Sequence, residues 1–432
     1  MTPRRLSKQV TIHATAPLLL GEKSGMSNFE QTLDFIPGAR VRGAVASRAL
    51  EKCTQPAYKD NHAACPDRQS CPFWQLFGDD DIFFGNAYAG ISGPVYPVPL
   101  TAHTCKYYAG IPEADSQSAR DDAHGVWDTL VERLVHETLV DTQFPHRAEI
   151  LPELGQRIPK LPAWAHKEIC PKCGNAAQPA SGYYMPGPPL ASAGHVPISR
   201  RMHVGINRAR FAAEDSLLFT QESLDTRGTN INFFAEVSAP EAKLDLLTQY
   251  LNGSHALGRG RSRGYGMVKI DMAGSRSDQD LPMRFARLQV AAEKALRAWL
   301  SEDKTANKPE KFSAQFFSLT LTSPAIFETF GRPILVPDAG EIGIPEAFLL
   351  RAWTKPVTIS GWDVAAGLPR RTRQAAAAGS VFLFAVPAGL DVLPGLALLG
   401  ENGLGEERAR GFGQLQVCAP IHINSLRDFG RS

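Results

Sequence analysis

His255-Ala256-Leu257-Gly258-Arg259-Gly260-Arg261-Ser262-Arg263-Gly264-Tyr265-Gly266 decides the reading of this chain, because the same signature is written again near the C-terminus. There, Gly403-Leu404-Gly405 leads to Arg408-Ala409-Arg410-Gly411-Phe412-Gly413. Both copies contain Arg-x-Arg-Gly-aromatic-Gly, and both run into a short alternating segment that reads as a strand, Met267 to Ile270 in one and Gln414 to Cys418 in the other. Glycines let such a backbone approach a phosphate closely while arginines neutralise it. The bland reading is a structural turn joining helix to strand. Two copies with Arg at matching offsets favour phosphate contact and imply two related domains around an RNA ligand. The first copy has Gly258, Arg259, Gly260, Arg261, Arg263, Gly264 and Tyr265, whereas the second carries Glu406-Glu407, which suits a structural turn or a face toward a protein partner.

Outward from the first loop, Phe233 to Ser238 reads as a strand and Pro240 to Leu251 as a helix, with proline in its first turn and Asn252-Gly253 at its end. Toward the N-terminus, Gln9 to Leu20 alternates as a half-buried strand does, with Val10, Ile12 and Ala14 on one side. Phe35-Ile36-Pro37-Gly38-Ala39-Arg40-Val41-Arg42-Gly43 then opens a helix reaching about Lys52. Strand-helix followed later by strand-helix-strand suits a ferredoxin-like or RRM-like domain. The second half repeats the scheme in shorter form. Gln315 to Ile326 is strand-like, Pro345 to Trp353 helical, Val357 to Trp362 and Ser380 to Val386 strands, and Leu393 to Leu399 precedes the second loop. The expected fold is therefore α+β, with two ferredoxin-like domains in tandem. Residues 1–272 form the first domain, carrying a large zinc-binding insertion at 54–199, and 313–432 form the second. Residues 273–312 between them hold an amphipathic helix, Met283 to Leu300, and a charged linker, Ser301 to Lys311.

A chain of 432 residues that is 43% hydrophobic exceeds one ordinary core, in keeping with two domains. With 46 basic and 44 acidic residues the net charge is only +2, so a nucleic-acid surface must come from local clustering. Besides the first loop, Arg40, Arg42 and Arg48 stand early in the first helix, whose N-terminus offers free N–H groups and a positive dipole end to an anion. Arg200-Arg201-Met202-His203-Val204-Gly205-Ile206-Asn207-Arg208-Ala209-Arg210 reads as a hairpin or loop that clasps single-stranded RNA, with Arg200, Arg201, His203 and Asn207 as contacts. A solvated basic face is the alternative for either cluster. No apolar run reaches the ~20 residues of a membrane span, and Met1 to Arg5 lacks the apolar core of a secretory signal, so a cytoplasmic protein without a membrane partner is expected.

Seven cysteines suit metal binding or burial better than a disulfide scaffold. Cys170-Pro171-Lys172-Cys173-Gly174 has the spacing of a zinc knuckle, in which two thiolates share one tetrahedral ion. A redox pair is disfavoured, because no thioredoxin-like strand-helix-strand context surrounds it. Two more ligands are needed, and the candidates are Cys105 with His124, or Cys65 with Cys71, with Cys53 as a substitute. Cys418 reads as a buried core residue. Asp79-Asp80-Asp81 has the composition of a magnesium site but more often marks a solvated turn. Of eleven histidines, only His255 and His203 stand where a general acid or base would reach bound RNA, although a structural role fits both.

Together these segments resemble the CRISPR-associated RAMP superfamily, built from ferredoxin-like domains with a glycine-rich loop before the last strand. The closer resemblance is to the RAMP subunit that caps type III effector complexes, subtype D, at the five-prime tag of the CRISPR RNA. It is carried by Phe35 to Gly43, Thr104-Cys105-Lys106, His124-Gly125-Val126-Trp127-Asp128, Cys170 to Cys173, His203-Val204-Gly205-Ile206-Asn207, Ser360-Gly361-Trp362-Asp363, Ala378-Gly379-Ser380 and both glycine loops. It implies a non-catalytic RNA-binding subunit that joins the large polymerase-like subunit to the backbone RAMP subunits and meets target RNA indirectly. It also favours Cys105 and His124 as the completing ligands of a structural zinc ion, and makes the Ser360 to Asp363 region an interaction surface. Tyr265 would be an aromatic platform for extruded tag bases. The rival expectation is a metal-independent endoribonuclease that matures CRISPR RNA, using His255 or His203.

Overall fold

The computed structural model describes residues 4–21, 28–58, 61–111, 122–135, 169–187, 190–192, 196–207, 209–276, 280–302, 311–363 and 367–423. The elements that build its two main sheets are, in chain order, β1 (Arg5–Ala14), α1 (Gly38–Leu50), β2 (Phe83–Phe84), β3 (Tyr88–Gly90), β4 (Asn232–Pro240), α2 (Leu244–Leu251), β5 (Gly253–Ala256) and β6 (Met267–Arg276). After α3 (Leu281–Glu302) follow β7 (Ala314–Leu321), β8 (Phe348–Trp353), β9 (Val381–Pro387), α4 (Leu393–Asn402) and β10 (Leu415–Val417).

The first sheet runs β5-β6-β1-β4, with β2 and β3 side by side on the outer edge of β4, and every pairing is antiparallel. β1 lies in the middle, so its buried Val10 and Ile12 are flanked on both sides by paired strands. α1 presents Val41, Ala44, Val45 and Ala49, and α2 presents Leu244, Leu247, Tyr250 and Leu251. Both stripes follow the helical repeat and meet one sheet face in a core with Phe233, Val268 and Ile270. The second sheet has the order β8-β9-β7-β10, again antiparallel, with Leu396 and Leu399 of α4 closing a core with Phe317, Phe382 and Val417. The fold is thus mixed α+β. α3 buries Leu288, Ala292 and Leu296 against this second half, as the amphipathic pattern requires.

The duplication holds at the level of single backbone hydrogen bonds. In the first half, Leu257 N–H donates to Gly266 O, Arg259 N–H to Leu19 O, and Gly266 N–H to Pro17 O. In the second half, Leu404 donates to Gly413, Glu406 to Ile326, and Gly413 to Pro324 in the same pattern. The loop must be glycine where it passes the segment that follows the first strand of each half. Gly258 (φ +83) and Gly405 (φ +73) each bring a would-be Cβ to 2.4 Å from a carbonyl, Leu19 O in one case and Ile326 O in the other.

Two expectations need correction. Pro345 to Trp353 is not helical: its Glu-Ala-Phe-Leu-Leu-Arg-Ala composition favours a helix, but β8 pairs along β9, where the edge of a buried strand would otherwise lack partners. Val126–Asp128 is a strand paired with Ala102–Cys105, a helical turn occupies Leu130–Arg133, and residues past 135 fall outside the described set. The stretch 54–199 set aside as an insertion also feeds the first sheet, since β2 and β3 lie within it.

That stretch also packs on the second half. Leu100 N–H donates to Gly379 O, the Tyr88 hydroxyl donates to Thr322 O, and Tyr96, Val98, Ala102 and Val126 share a core with Ala419 and Ile421. Between them runs a buried polar chain. Thr101 Oγ1 donates to Asp128 Oδ2 (2.6 Å), Asp128 Oδ1 meets His422 Nδ1 (2.8 Å), and His422 Nε2 meets Thr320 Oγ1 (2.7 Å). Among the described residues no helix is long and apolar enough to cross a membrane.

Candidate nucleic-acid interface

The first glycine loop joins β5 to β6. Gly260 (φ 71) and Gly264 (φ 82) adopt left-handed conformations on either side of a single 3-10 turn, Arg261–Arg263. Two chain reversals so close together throw the turn outward, leaving Arg259, Arg261 and Arg263 exposed. Arg40, on the first turn of α1, reaches the same place. Burial lowers its pKa, and the Arg259 and Arg261 guanidiniums lower it further, the signature of like charges gathered without an anion. Among the described residues no carboxylate pairs with Arg40, Arg261 or Arg263, whereas Arg259 Nη1 donates to Glu30 Oε1 at 2.8 Å. Glu30 has no local sequence signal linking it to the loop, being 229 positions away.

The remaining expected contacts divide. Arg200 and Arg201 stand on a hairpin, Ile198–Asn207 with Ala212–Leu224, as one of the two sequence readings requires. Arg201 lies over the Tyr265 ring at 5.8 Å and donates to its hydroxyl at 3.3 Å, fastening the hairpin to the loop. Tyr265 is therefore buried and capped, so its ring is no free platform for extruded bases, contrary to expectation. Arg200 Nε pairs with buried Glu222 (2.9 Å). Asn207 Oδ1 accepts from the Ala209 and Arg210 amides and so closes the hairpin turn. His203 stacks on Phe219 at 5.1 Å. Arg208 lies outside the described residues.

The α1 N-terminus is not the open anion site the sequence suggests. Gly38 N–H donates to Asn86 Oδ1 (2.9 Å), and Gly411 of the second loop is seated against Gly38 and Phe84. Arg42 turns away from the cluster to Asp80 and lies over the Phe77 ring at 5.0 Å. Asp79 and Asp81 each hold Lys243 Nζ at 2.8 Å, so the Asp79-Asp80-Asp81 run serves as a set of ion pairs. Arg48 Nη1 donates to Asn252 O (2.7 Å) beyond the end of α2. His255 is buried, with Nε2 at 2.7 Å from Leu251 O. Burial lowers its pKa, against the Leu251 carbonyl and together with Arg48, as befits a histidine packed in the core.

The second loop keeps the backbone and changes the chemistry. Glu406 and Glu407 meet Arg373, Glu407 also meets Arg370 (3.6 Å) and Arg410 (3.0 Å), and Arg408 lies over the Phe83 ring at 5.3 Å. With Gly411 on Gly38, this loop is a joint between the two halves of the molecule.

The structure brings Cys105, His124, Cys170 and Cys173 together, their ligand atoms all within 4.8 Å of one another, while Cys53, Cys65 and Cys71 stand outside the group. Cys105 ends one strand, His124 precedes its partner Val126–Asp128, and Gly174 (φ +70) closes the knuckle turn by donating to Cys170 O. Cys105 Sγ to Cys173 Sγ is 3.7 Å and His124 Nδ1 to Cys170 Sγ is 3.3 Å. Two thiolates at ~2.3 Å from a tetrahedral ion stand about 3.8 Å apart, so the donor set fits a metal. Burial pushes the Cys170 thiol up, while a backbone hydrogen bond at Asn175 draws Cys173 down. Cys418 is a core residue.

Residues 40–418 match the family model Cas_Cmr3, described as CRISPR-associated protein. The chain belongs to this family. The Cas_Cmr3 match includes both glycine loops, the arginine hairpin and all four clustered Cys and His ligands. A search of curated proteins finds no match. Among solved structures, the chain is similar to one titled a cryo-EM structure of the type III-B Cmr-beta bound to cognate target RNA. Identity there is 12%, covering 87% of this chain and 86% of that one, with a TM-score of 0.39. It is also similar to a Csm3-Csm4 subcomplex of the type III-A CRISPR-Cas interference complex, at 10% identity, 87% and 92% coverage and a TM-score of 0.31.

Proposed function

We propose that this Cas_Cmr3-family chain is a non-catalytic subunit of a type III CRISPR RNA-guided interference complex. In this reading its first glycine loop grips the five-prime repeat-derived tag of the CRISPR RNA, and the chain joins the large polymerase-like subunit to the backbone subunits. The observation that carries it is the group Arg40, Arg259, Arg261 and Arg263, in which three of the four guanidiniums have no carboxylate among the described residues. Such a group beside glycine-rich backbone matches the repeating charge of a phosphate chain better than it matches a single small anion. The strand orders β6-β1-β4-β2 and β10-β7-β9-β8, with α1 and α2 on one face of the first sheet and α4 on a face of the second, support reading the halves as two ferredoxin-like domains meeting near residues 272–312. The inward pairing of Glu406 and Glu407 supports reading the first loop as the RNA contact and the second as a joint.

Zinc is the metal we assign to the Cys105, His124, Cys170 and Cys173 group, since three thiolates and one imidazole suit a closed structural site. When bound, the ion supplies charge neutralisation and a fixed tetrahedral node. The protein residues do the rest, with the Gly174 turn aiming two cysteines at the ends of two paired strands.

The test is to purify the complex and sequence the five-prime ends of the RNA that crosslinks to this chain. A single repeat-derived tag, crosslinked to peptides spanning 255–266, is expected. Crosslinks confined to spacer-derived RNA, or absent from that segment, would contradict the proposal.

A further inference from the structure

Arg259 is the loop arginine that already has an anion, and that anion is built in place. Glu30 belongs to a two-residue strand, Phe29–Glu30, which pairs in parallel with Thr220–Gln221. Its Oε2 accepts from Nε2 of the buried Gln221 at 2.6 Å, and its Oε1 accepts from Arg259 Nη1 at 2.8 Å. Space for the carboxylate is made by Gly21, where a Cβ would stand 2.6 Å from Glu30 Oε1. One oxygen is thus held by the fold and the other is presented to the loop. The Arg259 side chain stays 53% exposed and Glu30 only 20%, so Arg259 remains open to a second anion on its solvent side.

The duplicated loop shows the same position with its polarity reversed. Glu406 occupies the place of Arg259 and meets Arg373. In the second loop the carboxylate is part of the loop itself and stays there; in the first, the loop keeps the cation and the carboxylate comes from a different segment. Arg373 is only 12% exposed, whereas Arg259 is open to solvent, so the first arrangement is the one placed for exchange, in which one anion leaves the arginine as another arrives.

Building on the proposed tag-binding role of the first loop, we infer that Glu30 is an internal competitor that occupies Arg259 in the RNA-free protein and is displaced from it by a phosphate of the guide RNA. An exposed ion pair is weak and easily exchanged, while a phosphate held by several guanidiniums at once is held more firmly. The carboxylate therefore lowers affinity for every phosphate that uses Arg259, a cost that RNA engaging the whole cluster offsets through its other contacts. It acts as a filter against non-specific polyanions.

The test compares Glu30→Gln and Glu30→Ala with wild type, using a 3′-fluorescein RNA carrying the repeat-derived tag and, in parallel, a homopolymer RNA of equal length. Gln keeps the side-chain shape and an amide contact to Gln221, and unchanged thermal unfolding verifies the fold. Tag binding should tighten about threefold to tenfold at low salt, with a larger gain for the homopolymer, and the gain should vanish when Arg259→Ala is added. Unchanged or weaker binding in both Glu30 variants, with Arg259→Ala still weakening the wild type, would overturn the inference and make Glu30 a simple support for Arg259. If Arg259→Ala, Arg261→Ala and Arg263→Ala together leave tag affinity untouched, it is the tag-binding reading that fails.

Discussion

Arg40 and Arg42 stand two positions apart on one helix and have opposite fates. Arg42 is spent on Asp80 and on the Phe77 face, whereas Arg40 is drawn under the first loop among Arg259 and Arg261. Periodicity explains the split, because residues two apart on a helix point about 200° apart. Arg40→Ala should weaken tag binding about tenfold, the loss of one charge-assisted contact, with little change in unfolding. Arg42→Ala should instead cost about 1 kcal/mol of stability and leave the RNA affinity near wild type. Fluorescence anisotropy and urea unfolding on the two variants separate these effects. At this scale the sequence was only half readable: it marks both arginines as basic residues at a helix start, and cannot mark Asp80 as the carboxylate that claims Arg42 or Glu30 as the one that claims Arg259.

At the scale of elements, the loops and their strands were legible because glycine chemistry is local. The positive φ at Gly258, Gly260 and Gly264 follows from the spacing, and so does the turn that exposes three arginines. β8 was not legible, since its residues favour a helix and only the neighbouring β9 makes them a strand. The knuckle lies between these cases. Cys170 and Cys173 announce themselves by spacing, but Cys105 and His124 reach them through a strand pairing, Thr104 opposite Val126, that no spacing encodes. Replacing Cys170 and Cys173 by Ser should reduce bound zinc from one per chain to none by mass spectrometry of the metal content. It should also lower the thermal midpoint, because metal-binding free energy in such sites is folding free energy. Equal zinc content in that variant would remove the metal assignment.

At the scale of the whole molecule, the contacts that join the halves include the second glycine loop on the start of α1 and the buried chain through Asp128 and His422. Burial raises the Asp128 pKa, but the His422 imidazole and hydrogen bonds from His422, Thr101 and the Leu130 amide outweigh it, and the net shift is downward. A depressed carboxyl stabilises the fold above its unfolded pKa of about 3.9, and that stability is lost as pH falls through the lower folded value. Asp128→Asn should therefore cost about 3–5 kcal/mol near neutrality, by leaving His422 Nδ1 without its carboxylate, and should flatten the loss of stability below about pH 4. Chemical unfolding at several pH values measures both. The central claim, that the first loop binds RNA through its arginines, is tested most directly by the salt dependence of tag binding in wild type and in the Arg259→Ala, Arg261→Ala, Arg263→Ala variant. Each lost phosphate contact to single-stranded RNA should reduce the slope of log affinity against log salt by about 0.7, so the account predicts a slope shallower by about 2 together with a large loss of affinity. Equal slopes and equal affinities for the two proteins would contradict it.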